Sequence, residues 1–162
     1  MKYDNERVRR RGRLLEEEKA IALLHNGEYG ILSMHAEGGE PYGVPVNYAW
    51  DGDSAIYIHC ASVGRKLCYI AECSSISFCV VGKTKVISNQ FSTEYESIIL
   101  SGNAHTGLNA DERMHALMLI LKKYSPNDME LGMRYAEKSF SRTEIIRLDI
   151  REWSGKSKQI NE

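Results

Sequence analysis

The predicted fold is decided by residues 56–66, which read IYIHCASVGRK. Side chains alternate between the two faces of a β-strand, and here apolar residues recur at every second position. The pattern predicts a strand over Ala55–Cys60, with Ile56 and Ile58 on one face. Gly64 permits a sharp turn, and a helix is predicted over Val63–Cys73.

Arg65 and Lys66 stand where this predicted helix begins. A helix start presents backbone N–H groups without partners and the positive end of the helix dipole. An arginine can hold two phosphate oxygens in a fork, and a lysine adds a point charge. The segment therefore predicts a phosphate cradle. The alternative, that both cations belong to the solvated face of an ordinary helix, stays open at this point.

Strand signals continue on both sides of this segment. The six predicted strands are Tyr29–Ala36, Pro41–Trp50, Ala55–Cys60, Ser74–Val81, Tyr95–Gly107 and Thr143–Trp153. The connections among the first three are too short for crossover helices, so these strands should pair antiparallel. Gly102 predicts a bulge or a sharp bend, and Lys83–Ser92 is predicted to be polar and irregular.

Helical periodicity predicts four helices, over Leu14–His25, Val63–Cys73, Ala110–Tyr124 and Met129–Ser139. The third has the clearest apolar stripe, and Asn109 is its expected N-cap. Six strands with flanking helices indicate a mainly β, α+β protein built on a small antiparallel barrel.

The 162 residues fit one domain, and 43% hydrophobic with 27% charged residues is typical of a soluble globular protein. No apolar run approaches the roughly 18 residues that span a bilayer, and no secretory signal is recognised. We therefore expect a cytoplasmic protein without a membrane partner.

The chain is predicted to divide into a basic arm at residues 1–13, the domain at 14–156 and a tail at 157–162. A net charge of −1 and the lack of an aromatic stacking platform argue against a nucleic acid partner.

Cysteines and histidines give no metal signal. The four cysteines lack CxxC spacing, and the five histidines are scattered without an HExxH pattern. In a reducing cytosol the cysteines are expected to be buried thiols.

Two further segments carry candidate ligand groups. In Val44–Tyr48, Pro45 cannot donate to a ladder, which predicts an edge or interrupted strand. Asn47 could hydrogen-bond the edge of a heteroaromatic ring, or it could cap a turn. In Phe91–Ile98, hydroxyls and aromatic rings precede an apolar strand, and a polar loop with half-buried rings would give the same pattern.

Five stretches together resemble one family. They are GEYGILS (27–33), PYGVPVNYAW (41–50), IYIHCASVGRKL (56–67), FSTEYESIILSGNA (91–104) and RLDIREWSGK (147–156). This order resembles the pyridoxamine 5′-phosphate oxidase-like flavoproteins, and within them the nitroimidazole-resistance (Nim) group. The resemblance runs from about Arg10 to Lys156. It implies a Greek-key split β-barrel homodimer with two flavins at the dimer interface, usually FMN, with FAD as the alternative.

The resemblance also implies cofactor contacts, position by position. The implied contact residues are Val46, Asn47, Tyr48, His59, Cys60, Ala61, Gly64, Arg65, Lys66, Tyr95, Ser97 and Trp153. Among them, Arg65 and Lys66 match the family's phosphate-binding pair. Residues 46–48 match the strand along the isoalloxazine ring, and residues 59–61 match the strand end beside the flavin. Tyr95 and Ser97 match a segment that reaches the site from the other subunit.

By this resemblance the protein is expected to be an oxidoreductase whose flavin carries the electrons, and the chemistry of the Nim group is reduction of an imidazole nitro group. His59 is the candidate catalytic residue, as a proton donor near the ring, unless it only orders the strand end. Cys60 is not favoured as a catalytic thiol, since nothing in the sequence assigns it a depressed pKa. The chain end lacks the arginine and histidine with which vitamin B6 oxidases hold their substrate phosphate, so activity on pyridoxamine phosphate is not expected.

Two other functions stay open. The chain has no GxGxxG dinucleotide fingerprint, so a non-catalytic flavin carrier or redox sensor is one alternative. Haem binding, with a histidine as axial ligand, is the other.

Overall fold

A computed structural model describes residues 1–36 and 38–160 of the chain. Within them lie eight strands: β1 (Lys2–Tyr3), β2 (Gly30–Met34), β3 (Tyr42–Val46), β4 (Ala49–Trp50), β5 (Ala55–Ala61), β6 (Ser75–Ile87), β7 (Ser92–His105) and β8 (Thr143–Lys158). The helices are α1 (Glu17–Asn26), α2 (Arg65–Glu72), α3 (Ala110–Tyr124) and α4 (Met129–Ser139). All six predicted strands and all four predicted helices are present.

The strands form one sheet in the order β3-β2-β6-β7-β8-β5-β4. Every pair along this path is antiparallel, as predicted, and β1 adds to β8 in parallel. The sheet curls but does not close, since β3 and β4 are its two ends. This is the split-barrel arrangement.

The predicted count of six strands was too low, and one predicted loop was wrong. The two-residue strand β1 was not foreseen, and the predicted strand Pro41–Trp50 is divided into β3 and β4, which pair with β2 and β5 respectively. The stretch 83–92, predicted to be irregular, instead extends the β6–β7 hairpin, with Lys85 paired to Glu94 and Ile87 to Ser92. Its polar side chains gave no apolar alternation because this part of the hairpin is largely exposed.

Both predicted end segments join the sheet. Lys2 and Tyr3 pair with Glu152 and Trp153, and Val8 is buried. Strand β8 continues to Lys158, beyond the predicted domain end at residue 156. Residues 161 and 162 of the predicted tail lie outside the described residues.

The core has two parts. The barrel interior holds the larger cluster, which includes Leu32, Phe78, Leu100, Leu148 and Trp153. The outer face of β5 and β8 is covered by α3 and α4, which bury a smaller cluster that includes Tyr57, Ala116, Ala136 and Ile145. Burial of this apolar area provides the main stabilisation of the fold.

Two local predictions are confirmed. The β7–β8 register shifts between Ser101 and Gly102, and a Cβ at Gly102 would collide with the carbonyl of Asp149, so a glycine is needed there. The Asn109 side chain accepts a hydrogen bond from the Glu112 N–H at 2.9 Å and caps α3. None of the described helices is both long and apolar enough to cross a membrane.

Candidate functional site

The turn between β5 and α2 holds the predicted phosphate cradle. Gly64 has φ 152° and ψ 166°, a conformation open almost only to glycine, although a Cβ there would meet nothing within 4 Å. Its carbonyl accepts from the N–H groups of Leu67 at 3.0 Å and Cys68 at 3.3 Å. The amides of Arg65 and Lys66 find no acceptor among the described residues, and no acidic residue occupies the first turn. The turn therefore presents free donors and positive charge together.

Arg65 is held in place by two tyrosines. Its guanidinium lies 4.3 Å from the ring centroid of Tyr42 and 5.1 Å from that of Tyr69. One guanidinium nitrogen donates to the Tyr69 hydroxyl at 2.9 Å. The side chain is still exposed, so most of its five donors remain available to an anion. Because Tyr42 begins β3, these contacts place the cradle at the start of that strand.

Cys60 and Ala61 end β5 just before the turn. Cys60 packs against the barrel interior with the face of Ile56 and Ile58, whereas Ala61 is exposed. Burial raises the pKa of the Cys60 thiol above its usual value, and the nearby charge of Lys66 opposes that shift only in part. A thiol that stays protonated is a weak nucleophile, which agrees with assigning Cys60 no catalytic role.

Strand β3 is an edge strand, as Pro45 predicts. Within the described part of the chain it pairs only with β2, with Pro45 opposite Ile31. Val46 is partly buried against the core, whereas Asn47 is exposed just after the strand. The Asn47 amide donates to the carbonyl of Glu28 at 2.9 Å, which fixes its orientation. An edge strand has unpaired backbone groups that can bind a ligand.

The structure does not support direct cofactor contact from Tyr48 or Trp153. Tyr48 is fully buried, and its hydroxyl donates to the Leu24 carbonyl at 2.6 Å. Its backbone N–H donates to the hydroxyl of Tyr124, and the single proton of that hydroxyl lies between the carbonyls of Glu28 and Tyr48. Trp153 is 2% exposed and packs on Tyr3, with ring centroids 4.7 Å apart. Both large side chains fill the core, which the sequence resemblance could not reveal.

His59 is exposed on the outer face of β5, where the barrel opens. Ala49 and Tyr57 are the last residues that pair between β4 and β5 at this end of the sheet. Two residues beyond this pair lie Asn47, before β4, and His59, within β5. Partial desolvation lowers the pKa of the His59 imidazole below its usual value. The ring is therefore largely neutral at pH 7, with one N–H to donate.

Tyr95 and Ser97 lie far from the cradle within one protomer. Helix α2 leads into β6 at Ser75, whereas Tyr95 pairs with Thr84. Nine residues of strand separate these two positions, which is roughly 30 Å along β6. Ser97 pairs with Val81, six residues or roughly 20 Å from Ser75, so one chain brings neither Tyr95 nor Ser97 to Arg65.

Comparison with known proteins defines the family. The family model described as pyridoxamine 5′-phosphate oxidase matches residues 16–157, which is most of the chain. The chain belongs to this family. No curated protein matches its sequence significantly.

Several solved structures have the same split-barrel fold as this chain, although their sequence identity to it is low. A protein of Bacteroides thetaiotaomicron, provisionally assigned to 5-nitroimidazole antibiotic resistance, is 17% identical, with a TM-score of 0.71 over 89% of this chain and 86% of its own. A conserved hypothetical protein of Mycobacterium tuberculosis is 12% identical, with a TM-score of 0.77 over 94% and 95%. An FAD-binding protein of Mesorhizobium loti is 19% identical, with a TM-score of 0.63 over 91% and 98%. Identities this low establish the common fold only.

Sequence reasoning missed the residues that support the cradle. Tyr69 lies four positions after Arg65, so it faces the same side of α2, and this spacing could have indicated the contact. Tyr42 is 23 positions away, and no local pattern connects it to Arg65. Lys123 and Tyr124 at the end of α3 were also missed, because their contacts with Tyr48 and Glu28 join parts of the chain that are distant in sequence.

Proposed function

We propose that this protein is a flavin-binding oxidoreductase that reduces nitroimidazole-type or other small electron-accepting compounds. The observation that carries the proposal is the position of Arg65. Its guanidinium stacks 4.3 Å from Tyr42, so the phosphate cradle of α2 lies at the start of the edge strand β3. A phosphate and a flat ring joined by a short chain, as in FMN, match these two neighbouring features.

In this proposal Arg65, Lys66 and the free amides of the first turn of α2 hold the flavin phosphate. Phosphate oxygens suit this donor set, because charge-assisted hydrogen bonds and a helix N-terminus both favour anions. The ring lies along the edge of β3 near Val46 and Asn47, where backbone groups are unpaired. We propose FMN as the cofactor. FAD is the alternative, since one protein of the same fold, from Mesorhizobium loti, is described as FAD-binding.

The complete site would need two chains. Tyr95, Ser97 and Ile99 share the outer face of β7, and Val81 pairs directly with Ser97. Ile99 and Val81 are 48% and 53% exposed, so this face has apolar area for a partner to cover. We propose that a second copy covers it, and that Tyr95 and Ser97 of one protomer complete the cofactor site of the other.

The bound flavin would supply the electron transfer that no side chain can perform. The chain's own residues bind and orient it, and His59 is proposed to deliver a proton near the ring. Its lowered pKa leaves a neutral imidazole at pH 7, and such a group can pass a proton in either direction. The name of the Bacteroides relative motivates nitroimidazoles as the first substrates to test.

Absorbance of the purified protein tests flavin binding, and the mass of the released cofactor distinguishes FMN from FAD. The expected result is a flavin spectrum. A haem Soret band without flavin would contradict the proposal; that outcome is relevant because one structural neighbour is a mycobacterial protein that binds FAD and haem.

A second experiment tests turnover. Dithionite-reduced protein is mixed anaerobically with a nitroimidazole, and reoxidation of the flavin is followed by absorbance. The expected result is reoxidation well above the rate without the compound, slowed by His59→Gln. No acceleration by any nitroaromatic acceptor would contradict the oxidoreductase and favour a flavin carrier or redox sensor.

A further inference from the structure

A second cleft lies between the C-terminal end of α3, strand β4 and the connection from α1 to β2. We call it the α3–β4 cleft. Its volume is about 670 Å³, within the range of small-molecule sites. The residues that matter for its chemistry are Glu28, Asn47, Trp50, Lys122, Lys123 and Tyr124. None of the roles proposed above uses its lysines or its tryptophan.

Lys123 is the unusual member of this lining. Its Nζ is removed from water and has no hydrogen-bond or ion-pair partner among the described residues. The nearest stabilising groups are two aromatic faces, the ring of Tyr48 with its centroid at 3.7 Å and that of Tyr124 at 5.4 Å. Burial lowers the pKa of Lys123 to about 8, so Lys123 is still charged in most molecules at neutral pH. A buried ammonium without a counter-ion is costly.

Trp50 provides a second unsatisfied donor in the same cleft. Its Nε1 is buried and has no acceptor among the described residues. The hydroxyls of Tyr48 and Tyr124, which donate to the carbonyls of Leu24 and Glu28, do not accept from it. Arg113 Nε and Trp153 Nε1 are also buried without a partner among the described residues, but Lys123 and Trp50 line the same cleft, where an acceptor from outside the chain could satisfy both.

The charge and shape of the cleft restrict that acceptor. Lys122 adds a second positive charge, and Glu28 is the one carboxylate in the described lining. The positive excess favours an anion, and the aromatic walls formed by Trp50 and Tyr124 favour a flat ring.

We propose that the α3–β4 cleft binds a small planar molecule that carries a carboxylate, with the acid accepting from Lys123 Nζ and Trp50 Nε1 and the ring against Tyr124. Because Nζ is covered in the free protein, binding includes rotation of the flexible Lys123 side chain away from the Tyr48 ring. The carboxylate then provides the counter-ion that the fold lacks. This proposal does not depend on the flavin, although Asn47 would place the ligand beside the edge strand β3.

Benzoate is a suitable probe, with benzamide as its neutral match. The protein has two tryptophans, so ¹H–¹⁵N spectra show two indole signals, and Trp50→Phe identifies that of Trp50. Benzoate is expected to shift the Trp50 signal saturably and to leave the Trp153 signal in place. Benzamide should bind at least about tenfold more weakly than benzoate, since it has no charge to pair with the Lys123 ammonium.

Two lysine variants separate the proposed contact from general charge. Lys123→Met should weaken benzoate binding by about tenfold or more, whereas Lys138→Met, which removes an exposed charge of α4 outside the cleft, should change it by less than about twofold. Equal affinity of Lys123→Met and the unaltered protein would overturn the proposal. So would equal binding of benzamide, or no saturable shift at millimolar benzoate. Flavin content is read separately from absorbance, so failure here leaves the proposed function standing.

Discussion

At the scale of single residues, Gly64 controls the cradle through its backbone. Its φ of 152° strains any L-residue by about 1–3 kcal/mol even though space for a Cβ exists. Gly64→Ala should therefore lower the free energy of unfolding and weaken flavin binding together, as measured by denaturation and flavin titration. Gly107→Ala is the matched control, because Gly107 also has positive φ (68°) but lies outside the cradle. Loss of flavin affinity in both variants to the same extent would contradict a local role of Gly64.

Replacement of Lys123 should stabilise the folded protein, in contrast to replacement of Gly64. Its pKa falls from 10.5 to about 8 on folding, so below pH 8 the folded state carries a buried charge that destabilises it. The destabilisation, at most about 3 kcal/mol, is relieved as pH rises from 8 towards 10.5. Lys123→Met should raise the melting temperature at pH 7, and the gain should shrink at pH 10. If the melting temperature of Lys123→Met at pH 7 is no higher than that of Lys122→Met, the charge of Lys123 does not destabilise the folded state.

The residue types of the cradle could be predicted from sequence, but their surroundings could not. A glycine followed by two cations at a helix start has a local signature, so Gly64, Arg65 and Lys66 could be predicted as a candidate cradle. The contact between Arg65 and Tyr42 joins distant parts of the chain. The burial of Tyr48 and Trp153 likewise depends on which face of a curled sheet each residue occupies, and apolar aromatics look the same in a core and in a ligand site.

At the scale of elements, α3 depends on its cap. The Asn109 side chain satisfies one of the free N–H groups at the start of the helix, at 2.9 Å from the Glu112 nitrogen. Asn109→Ala should lower the free energy of unfolding by about 1 kcal/mol. Chemical denaturation measures this, with the exposed Asn127→Ala as control. Equal stability of the two variants would mean that the hydrogen bond contributes nothing.

Element types were predictable where their periodicity was clear. The apolar stripe of α3 and the alternation of β5 each reflect one buried face. The outer half of the β6–β7 hairpin has no such face, since Lys83 and Lys85 are exposed on β6 and Thr93 is exposed on β7. Hydrogen bonding between the strands alone defines it, and such pairing is not visible in the side-chain pattern.

At the scale of the whole molecule, the separation of Arg65 from Tyr95 and Ser97 predicts complementation between subunits. Arg65→Ala/Lys66→Ala removes the cradle, and Ser97→Glu places a negative charge at the proposed partner contact. Each variant alone should bind little flavin. After unfolding and refolding of an equal mixture, half of the dimers would be mixed, and each would regain one intact site, about a quarter of all sites.

Flavin absorbance per subunit measures this recovery, and light scattering measures the mass. Full flavin binding by Ser97→Glu alone would remove Ser97 from the site. A monomeric mass for the flavin-loaded protein would exclude a shared site altogether.

The most direct test of the account is the affinity of the cradle for flavin. Arg65→Ala/Lys66→Ala should weaken FMN binding by at least about a hundredfold, since each of the two charge-assisted contacts contributes roughly 1.5–3 kcal/mol. Arg9→Ala/Arg10→Ala removes the same charge from exposed positions and should bind FMN as the unaltered protein does. Titration of apoprotein with FMN, followed by fluorescence quenching, measures both. Equal affinity of the two double variants would contradict the placement of the phosphate at Arg65 and Lys66.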